Sequence, residues 1–245
     1  MSGPFLLINV NNTFTKVALA SGSRLRLHPP VPTRSLKPAF FRLLKKRFPS
    51  HRVVLASVVP QASAPAQRIW NPDHLEILSH RSPLAIPIHY PHPAQIGADR
   101  LANAVAAAHA FPLPCIVVDF GTATTFDVIA SDGGYLGGVI APGLNAMTDY
   151  LHQRTALLPR LTLAEPSRNI GRSTQEAMQI GTVRGYRGLI REILHGIATE
   201  LGPLASVIAT GGQGGLIAKG MPEIDIVDPR VTLHGLRLVA ERRWP

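Results

Sequence analysis

Short apolar runs separated by polar turns indicate several β-strands along the chain. Residues 5–10 and 14–20 are apolar and enclose the polar stretch Asn11-Asn12-Thr13, a pattern typical of a hairpin. Residues 115–130 repeat this outline, with Gly121 in the predicted turn. Further strands are predicted at residues 52–59, at 84–90, in the centre of 133–143, and at the apolar run that enters the glycine turn within 205–217.

Helical periodicity and alanine content predict the helices. The alanine-rich stretch GADRLANAVAAAHAF (97–111) is the clearest, and prolines follow it at positions 112 and 114. Other helices are predicted at residues 38–48, 143–158, 173–201 and 234–243. Because strands and helices mix along the chain, we expect an α/β fold.

The two predicted hairpins resemble each other in sequence. An apolar strand leads to Asn9 in the first and to Asp119 in the second, and one apolar residue then precedes Asn11 or Gly121. Positions 9 and 119 are 110 residues apart, a little under half of the 245-residue chain. This repeat predicts duplicated halves, residues 1–113 and 114–245, facing each other across a cleft, a common place for ligands. In this prediction the last helix, although it lies in the second half of the sequence, can pack against the first half.

Charge and cysteine content narrow the classes of protein. The net charge is +10, and neither Asp nor Glu precedes Asp73. A basic surface attracts polyanions and small anions such as ATP, but the densest cluster, Lys45-Lys46-Arg47, also fits the solvated face of a helix. Zinc-finger, basic-zipper and RNA-binding signatures are missing, so nucleic acid is not predicted as a partner. A single cysteine, no apolar run of membrane-spanning length and no secretory signal predict a cytoplasmic protein without a membrane partner.

The second hairpin carries residues that could bind phosphate. Asp119 follows a strand, where a carboxylate can hold a hydrated cation beside phosphate oxygens. Gly121 lets a ligand approach the backbone, and Thr122 offers a hydroxyl. The alternative is an ordinary hairpin whose polar side chains satisfy its own backbone. The copy at Asn9 and the glycine turn at 210–215 favour the nucleotide site.

A second candidate site lies at the start of the alanine-rich helix. Asp99 could act there as a general base that accepts a proton from a bound hydroxyl while its oxygen attacks phosphorus. Arg100 could hold a substrate carboxylate in a forked pair. The alternative is structural, because an acidic residue near a helix N-terminus stabilises the helix.

Together these motifs resemble those of the type III pantothenate kinases, members of the actin, sugar-kinase and Hsp70 nucleotide-binding superfamily. INVNNTFTK (8–16) is similar to the family's first phosphate motif, YPHPAQIGADR (90–100) to its substrate motif and DFGTATTFD (119–127) to its second phosphate motif. GGVIAPG, IGRSTQEAMQIG and ATGG follow in the family's order. The resemblance implies a duplicated ribonuclease-H-like fold, a homodimer, and ATP-dependent phosphorylation of pantothenate to 4′-phosphopantothenate, the first step of coenzyme A biosynthesis.

The resemblance also implies roles for individual residues. Asp99 is the implied base on the pantothenate hydroxyl, and Asp119 the implied ligand of a monovalent cation, K⁺ or NH₄⁺, while Mg²⁺ accompanies ATP. The implied substrate contacts are Tyr90, Gly97, Ala98, Asp99, Arg100 and Thr174. The implied ATP contacts are Asn9, Val10, Asn11, Asn12, Thr13, Phe14, Thr15, Lys16 and Thr122.

The first phosphate motif departs from the family pattern, which has Asp where this chain has Asn9 and Gly where it has Asn11. We expect the change at 11 to be mild, since asparagine tolerates a positive φ. The change at 9 removes a charge that Mg²⁺ prefers, so we expect weak metal or ATP affinity. Two alternatives stay open. One is a catalytically impaired paralogue with a binding or regulatory role; the other is a kinase for another hydroxylated substrate such as a sugar, which the 90–100 motif disfavours.

Overall fold

The computed structural model describes residues 4–245, and its first sheet is built around the N-terminal hairpin. The strands of this sheet are β1 (Phe5–Val10), β2 (Phe14–Ser21), β3 (Arg24–Leu27), β4 (Val31–Pro32), β5 (Arg52–Ser57) and β6 (Leu75–Ile77). They lie in the order β3-β2-β1-β5-β6, with β4 paired to β2. Strand β1 is antiparallel to β2 and parallel to β5, and β5 is parallel to β6.

The second sheet repeats this arrangement. Its strands are β7 (Cys115–Phe120), β8 (Ala123–Ile129), β9 (Tyr135–Pro142), β10 (Ser206–Gly211) and β11 (Ile226–Val227). The order is β9-β8-β7-β10-β11. Strand β7 is antiparallel to β8 and parallel to β10, which is parallel to β11. Apart from β4, which has no counterpart, the strands of the two sheets correspond, and the predicted α/β fold of two similar halves is confirmed.

The helices are α1 (Pro38–Arg47), α2 (Pro60–Ile69), α3 (Ala98–Ala110), α4 (Leu144–Arg154), α5 (Thr174–Leu201), α6 (Gly214–Ala218) and α7 (Val231–Arg243). Helix α7 packs closely on α3, where a Cβ at Gly235 would come within 1.8 Å of the Ala102 carbonyl oxygen. Thr232 on α7 also donates a hydrogen bond to Asn103 Oδ1 on α3 at 2.8 Å.

By their internal contacts, the residues form two compact units. The first comprises Met1–Ala110, Gly133–Leu136 and Arg230–Pro245, and the second Phe111–Asp132 and Gly137–Pro229. Each has its own apolar core: Phe41, Trp70 and strand residues fill one, while Phe120, Phe126 and residues of α5 fill the other. The boundary predicted between residues 113 and 114 stays a prediction.

The structure confirms both predicted hairpins. It also confirms the predicted helices, whose ends lie within a few residues of the predicted ones: 38–48, 97–111, 143–158, 173–201 and 234–243. The strand predicted at 84–90 is wrong, because this stretch contributes only an isolated bridge from Ile88 to Tyr135. Helix α2 forms in the proline-rich stretch where no helix is predicted. Pro60 lies in its first turn, where a missing N–H is not needed, and Pro65 lies inside it.

Candidate active site

Asp99 lies in the first turn of α3, at the end of the predicted substrate motif. Its carboxylate accepts a hydrogen bond from the Arg100 amide at 2.9 Å. It also reaches back over Gly97, where a Cβ would come within 2.8 Å of Asp99 Oδ1. Burial raises the pKa of the Asp99 carboxyl, although the hydrogen bond and charge of Arg100 oppose the shift. A held carboxylate with a raised pKa suits a general base.

Tyr135 completes this cluster, although no sequence motif singles it out. Its ring lies 6.2 Å from that of Tyr90, edge to face, and the Arg100 guanidinium lies over it at 5.8 Å. The fully buried Tyr135 is held by backbone hydrogen bonds with Pro87 and His89, each 2.9 Å long. These bonds attach residues 133–136 to the first unit. The sequence did not reveal this contact, because Tyr90 and Tyr135 are 45 positions apart in the chain.

Two buried amide oxygens, one near the end of β1 and one in the turn that follows it, have no hydrogen-bond partner within residues 4–245. Asn9 is 1% exposed and lies opposite Lys16 in the antiparallel pair. The Oδ1 atoms of Asn9 and Asn11 are both buried and lack a hydrogen-bond partner within residues 4–245. Asn11 does not use a positive φ, which among the described non-glycine residues only Ala85 adopts, so the reason given for its tolerance is wrong.

The remaining residues of the first motif divide by exposure. Asn12, Thr13 and Phe14 are exposed, while Val10 and Thr15 are buried. The Asn11 amide donates to the Phe14 carbonyl at 3.3 Å and closes the turn. Ligand contacts of the buried pair would therefore be made through the backbone.

Asp119 lies at the end of β7, between two strands of the second sheet. It is opposite Thr125 on β8 and beside Thr210 on β10. Gly211 has a φ of 85°, and a Cβ there would come within 2.5 Å of Asp119 Oδ1, so the glycine leaves room for this carboxylate. The Thr210 hydroxyl is buried and has no partner within residues 4–245. A carboxylate and an adjacent orphan hydroxyl are oxygens that fit a cation.

The turn after Asp119 is tightly packed. A Cβ at Gly143 would come within 2.3 Å of the Thr122 carbonyl oxygen and 2.6 Å of the Gly121 one, so only glycine fits there. Among residues 4–245, no group of three or more His, Cys, Asp or Glu side chains is placed to hold a metal ion.

Thr174 is the exposed first residue of α5. The helix start is capped, because Ser173 Oγ accepts from the Glu176 amide at 3.2 Å and Glu176 accepts from the Arg172 amide at 2.7 Å. Further along α5, Arg187 is 7% exposed and forms a forked pair with Glu165 at 2.6 and 2.8 Å. It also donates to the last carbonyls of α6, which motif analysis did not reveal.

Comparison with known proteins decides the family. Residues 5–196 match the family model described as type III pantothenate kinase. The chain belongs to this family. A type III pantothenate kinase of Akkermansia muciniphila is 50% identical, over 96% of this chain and 98% of that protein.

Solved structures share the fold of this type III pantothenate kinase family member at low identity. A Campylobacter jejuni protein assigned to the Baf family of transcriptional activators is 18% identical, covering 97% of this chain and 98% of its own, with a TM-score of 0.61. The inorganic polyphosphate/ATP-glucomannokinase of an Arthrobacter strain is 12% identical, covering 98% and 100%, with a TM-score of 0.54. These likenesses support the fold alone. None of the helices within residues 4–245 has the length and apolar character that crossing a membrane requires.

Proposed function

We propose that this chain transfers the terminal phosphoryl group of ATP to the hydroxyl of pantothenate, giving 4′-phosphopantothenate and ADP at the entry to coenzyme A biosynthesis. The observation that carries the proposal is the family match over residues 5–196, together with a named relative that is 50% identical over nearly the whole chain. Cytoplasmic location and a homodimer accompany it as inferences from the sequence and the family resemblance.

In the proposed reaction Asp99 is the general base. Its carboxylate accepts the hydroxyl proton as the oxygen–phosphorus bond forms and the bond to the leaving ADP oxygen breaks. The Arg100 amide orients the carboxylate at 2.9 Å, and burial raises the pKa of the carboxyl, which makes its ionised form a stronger base. Arg100, held over the Tyr135 ring, would bind the substrate carboxylate.

The two hairpin turns are the proposed nucleotide contacts. Thr122 and the backbone of residues 9–16 would meet the phosphates, with Lys16 supplying a positive charge opposite Asn9. Asp119 and the orphan Thr210 hydroxyl would hold the monovalent cation. Mg²⁺ bound with ATP neutralises phosphate charge; on this chain it would meet the neutral Asn9 amide, which is a weaker partner than a carboxylate.

A second candidate function follows from that amide. If Asn9 lowers metal affinity far enough, the chain would bind nucleotide and pantothenate but turn them over slowly, as an impaired paralogue with a binding role. Titration of nucleotide and pantothenate binding, run beside turnover, separates the two candidates.

The test is a coupled assay of purified protein with ATP, pantothenate, Mg²⁺ and either K⁺ or Na⁺. We expect K⁺-dependent phosphopantothenate, and a fall in turnover of about 10²–10⁴-fold in Asp99→Asn, as for loss of a general base. Exposed Asp73→Asn in the same unit is the matched control and should be unchanged.

The pH dependence of turnover checks the role of Asp99 separately. Protonation inactivates a base, so activity should fall as pH falls through the Asp99 pKa, which burial raises above the ordinary 3.8. An acid limb at or below 3.8, or one that persists in Asp99→Asn, would contradict this role.

A further inference from the structure

A buried pair of hydroxyls braces the second phosphate turn. Tyr186 on α5 is 1% exposed and its hydroxyl donates to the Pro142 carbonyl at 2.9 Å. The same hydroxyl lies 2.5 Å from Thr124 Oγ1 on β8. Because the single tyrosine proton is used on the carbonyl, which can only accept, the Thr124 hydroxyl must donate to Tyr186. The order of donation is thus Thr124, Tyr186, Pro142.

This relay connects the two sides of the turn. Thr124 pairs with Phe120 and is the second residue of β8 after the turn. Pro142 precedes Gly143, whose backbone lies directly against the Gly121 and Thr122 carbonyls. One buried tyrosine hydroxyl therefore fixes the distance between the proposed phosphate contact and the segment packed on it.

The first turn has a relay of the same form. Thr15 pairs with Val10, the register position that Thr124 occupies opposite Phe120. Its hydroxyl lies 3.0 Å from the Thr33 hydroxyl, and Thr33 donates to the Asn11 carbonyl within the turn at 2.6 Å. Thr33 also donates its amide to the Thr13 carbonyl at 2.9 Å. Both threonines are buried, as in the second relay.

We propose that Thr33 and Tyr186 are positioning residues. Each accepts a hydrogen bond from the strand threonine behind its turn and donates one to a carbonyl in or against that turn. These bonds set the backbone geometry with which the turn binds ATP phosphates. The second part of the proposal rests on the proposed function. Neither residue belongs to a motif of the sequence. The matching register positions of Thr15 and Thr124 in the two units argue against a chance contact.

Removing one hydroxyl tests the proposal. Tyr186→Phe removes both hydrogen bonds of the relay, so KM for ATP should rise about tenfold, while KM for pantothenate stays within about twofold. Amide hydrogen exchange at residues 121–124 should accelerate by a similar factor. A merely structural tyrosine would lower the melting temperature and leave both of these readouts unchanged.

Ser206→Ala is the matched control. Ser206 Oγ donates to the Pro112 carbonyl at 2.8 Å, so the variant also loses a buried hydroxyl-to-carbonyl bond in the second unit. Ser206 lies at the start of β10, whereas Asp119 lies beside the other end of that strand. It should lower stability without changing KM for ATP. Unchanged KM for ATP and unchanged exchange at 121–124 in folded Tyr186→Phe would overturn the proposal.

Two further measurements keep the outcomes separate. If the wild type does not phosphorylate pantothenate, the proposed function fails, and exchange at the turns still decides the relay. If Tyr186→Phe does not fold, Thr33→Val tests the first relay through exchange at residues 11–14. Its control is Thr232→Val, which loses a buried threonine bond to Asn103 in the same unit. Equal exchange in Thr33→Val and wild type would overturn the proposal.

Discussion

The turns after β1 and β7 occupy the same place in matching sheets but differ in charge. In the first, neutral Asn9 lies opposite cationic Lys16. In the second, anionic Asp119 lies opposite the hydroxyl-bearing Thr125. In the proposed function, this difference in charge suits the first turn to phosphate oxygens and the second to a cation.

The turns also differ in length, although a pair of hydrogen-bonded hydroxyls lies behind each one. Three residues, 11–13, separate β1 from β2, and two, Gly121 and Thr122, separate β7 from β8. A buried threonine followed by a second hydroxyl nevertheless stands behind each turn. The backbone framework of the two halves has thus stayed similar while the charged groups on it differ, and the chemistry has to be inferred from the latter.

Of the changes within the two turns, making the second turn neutral should have the largest effect. Asp119→Asn removes the carboxylate proposed to hold the monovalent cation, and we expect kcat/KM for ATP to fall about 100-fold, the upper end for changes around metal sites. The stimulation by K⁺ over Na⁺ should disappear with it. Steady-state kinetics in both salts measure the two quantities.

The control for this charge change is Asp225→Asn. Asp225 accepts a hydrogen bond from the Val207 amide at 2.8 Å, and an asparagine oxygen can keep that bond. Activity should stay within about twofold of wild type. A K⁺ dependence that survives in Asp119→Asn would show that the cation binds elsewhere.

Making the first turn anionic should have a smaller, opposite effect. Asn9→Asp places a carboxylate where the buried amide oxygen has no partner, so the Mg²⁺ concentration for half-maximal activity should fall about tenfold. Calorimetric titration of Mg²⁺ with a bound non-hydrolysable ATP analogue gives a readout apart from turnover. Exposed Asn71→Asp adds the same charge to the same unit and should not change Mg²⁺ dependence. If Asn9→Asp alters neither the Mg²⁺ dependence nor turnover, the idea of a weakened metal partner is wrong.

Local patterns predicted the frame of these turns well. Alternating apolar runs gave both hairpins, and alanine content gave α3, because these signals act over a few neighbouring residues. The same signals erred at 84–90, where apolar residues lie against the first unit without a strand partner beyond one bridge at Ile88. They also missed α2, where proline counts against a helix unless its position in the first turn is known.

From the sequence, only those residues of the candidate site that lie within recognisable motifs could be predicted. Asp99 and Asp119 stand in recognisable stretches, but Tyr135 and Tyr186 act through contacts with residues 45 and 62 positions away. Such contacts depend on how the chain returns to itself, which a single sequence does not encode in its local pattern. The relay threonines look like ordinary strand residues for the same reason.

A last difference lies after the next parallel strand of each unit, and it should produce the smallest effect. Strand β5 leads through Ser57 to a helix, whereas β10 leads through Gly211 to the short α6. Arg187 donates a hydrogen bond to a carbonyl of α6 and also pairs with Glu165. The hydrogen bond from Arg187 lowers the pKa of the Glu165 carboxyl below its ordinary 4.5. The stability that the pair contributes is therefore present above pH 4.5 and is lost as pH falls through the lowered pKa.

Glu165→Gln should lower the free energy of unfolding at pH 7 by less than about 1 kcal/mol, because the Glu165 side chain is 42% exposed and solvent screens the pair. Urea unfolding of wild type and variant should give this difference at pH 7 and none once the carboxyl is protonated. Exposed Glu192→Gln on the same helix as Arg187 should give no difference at either pH. A difference that grows on acidification would mean that Glu165 acts through packing rather than charge, and the glycine turn would then be held by the Arg187 bonds to α6 alone.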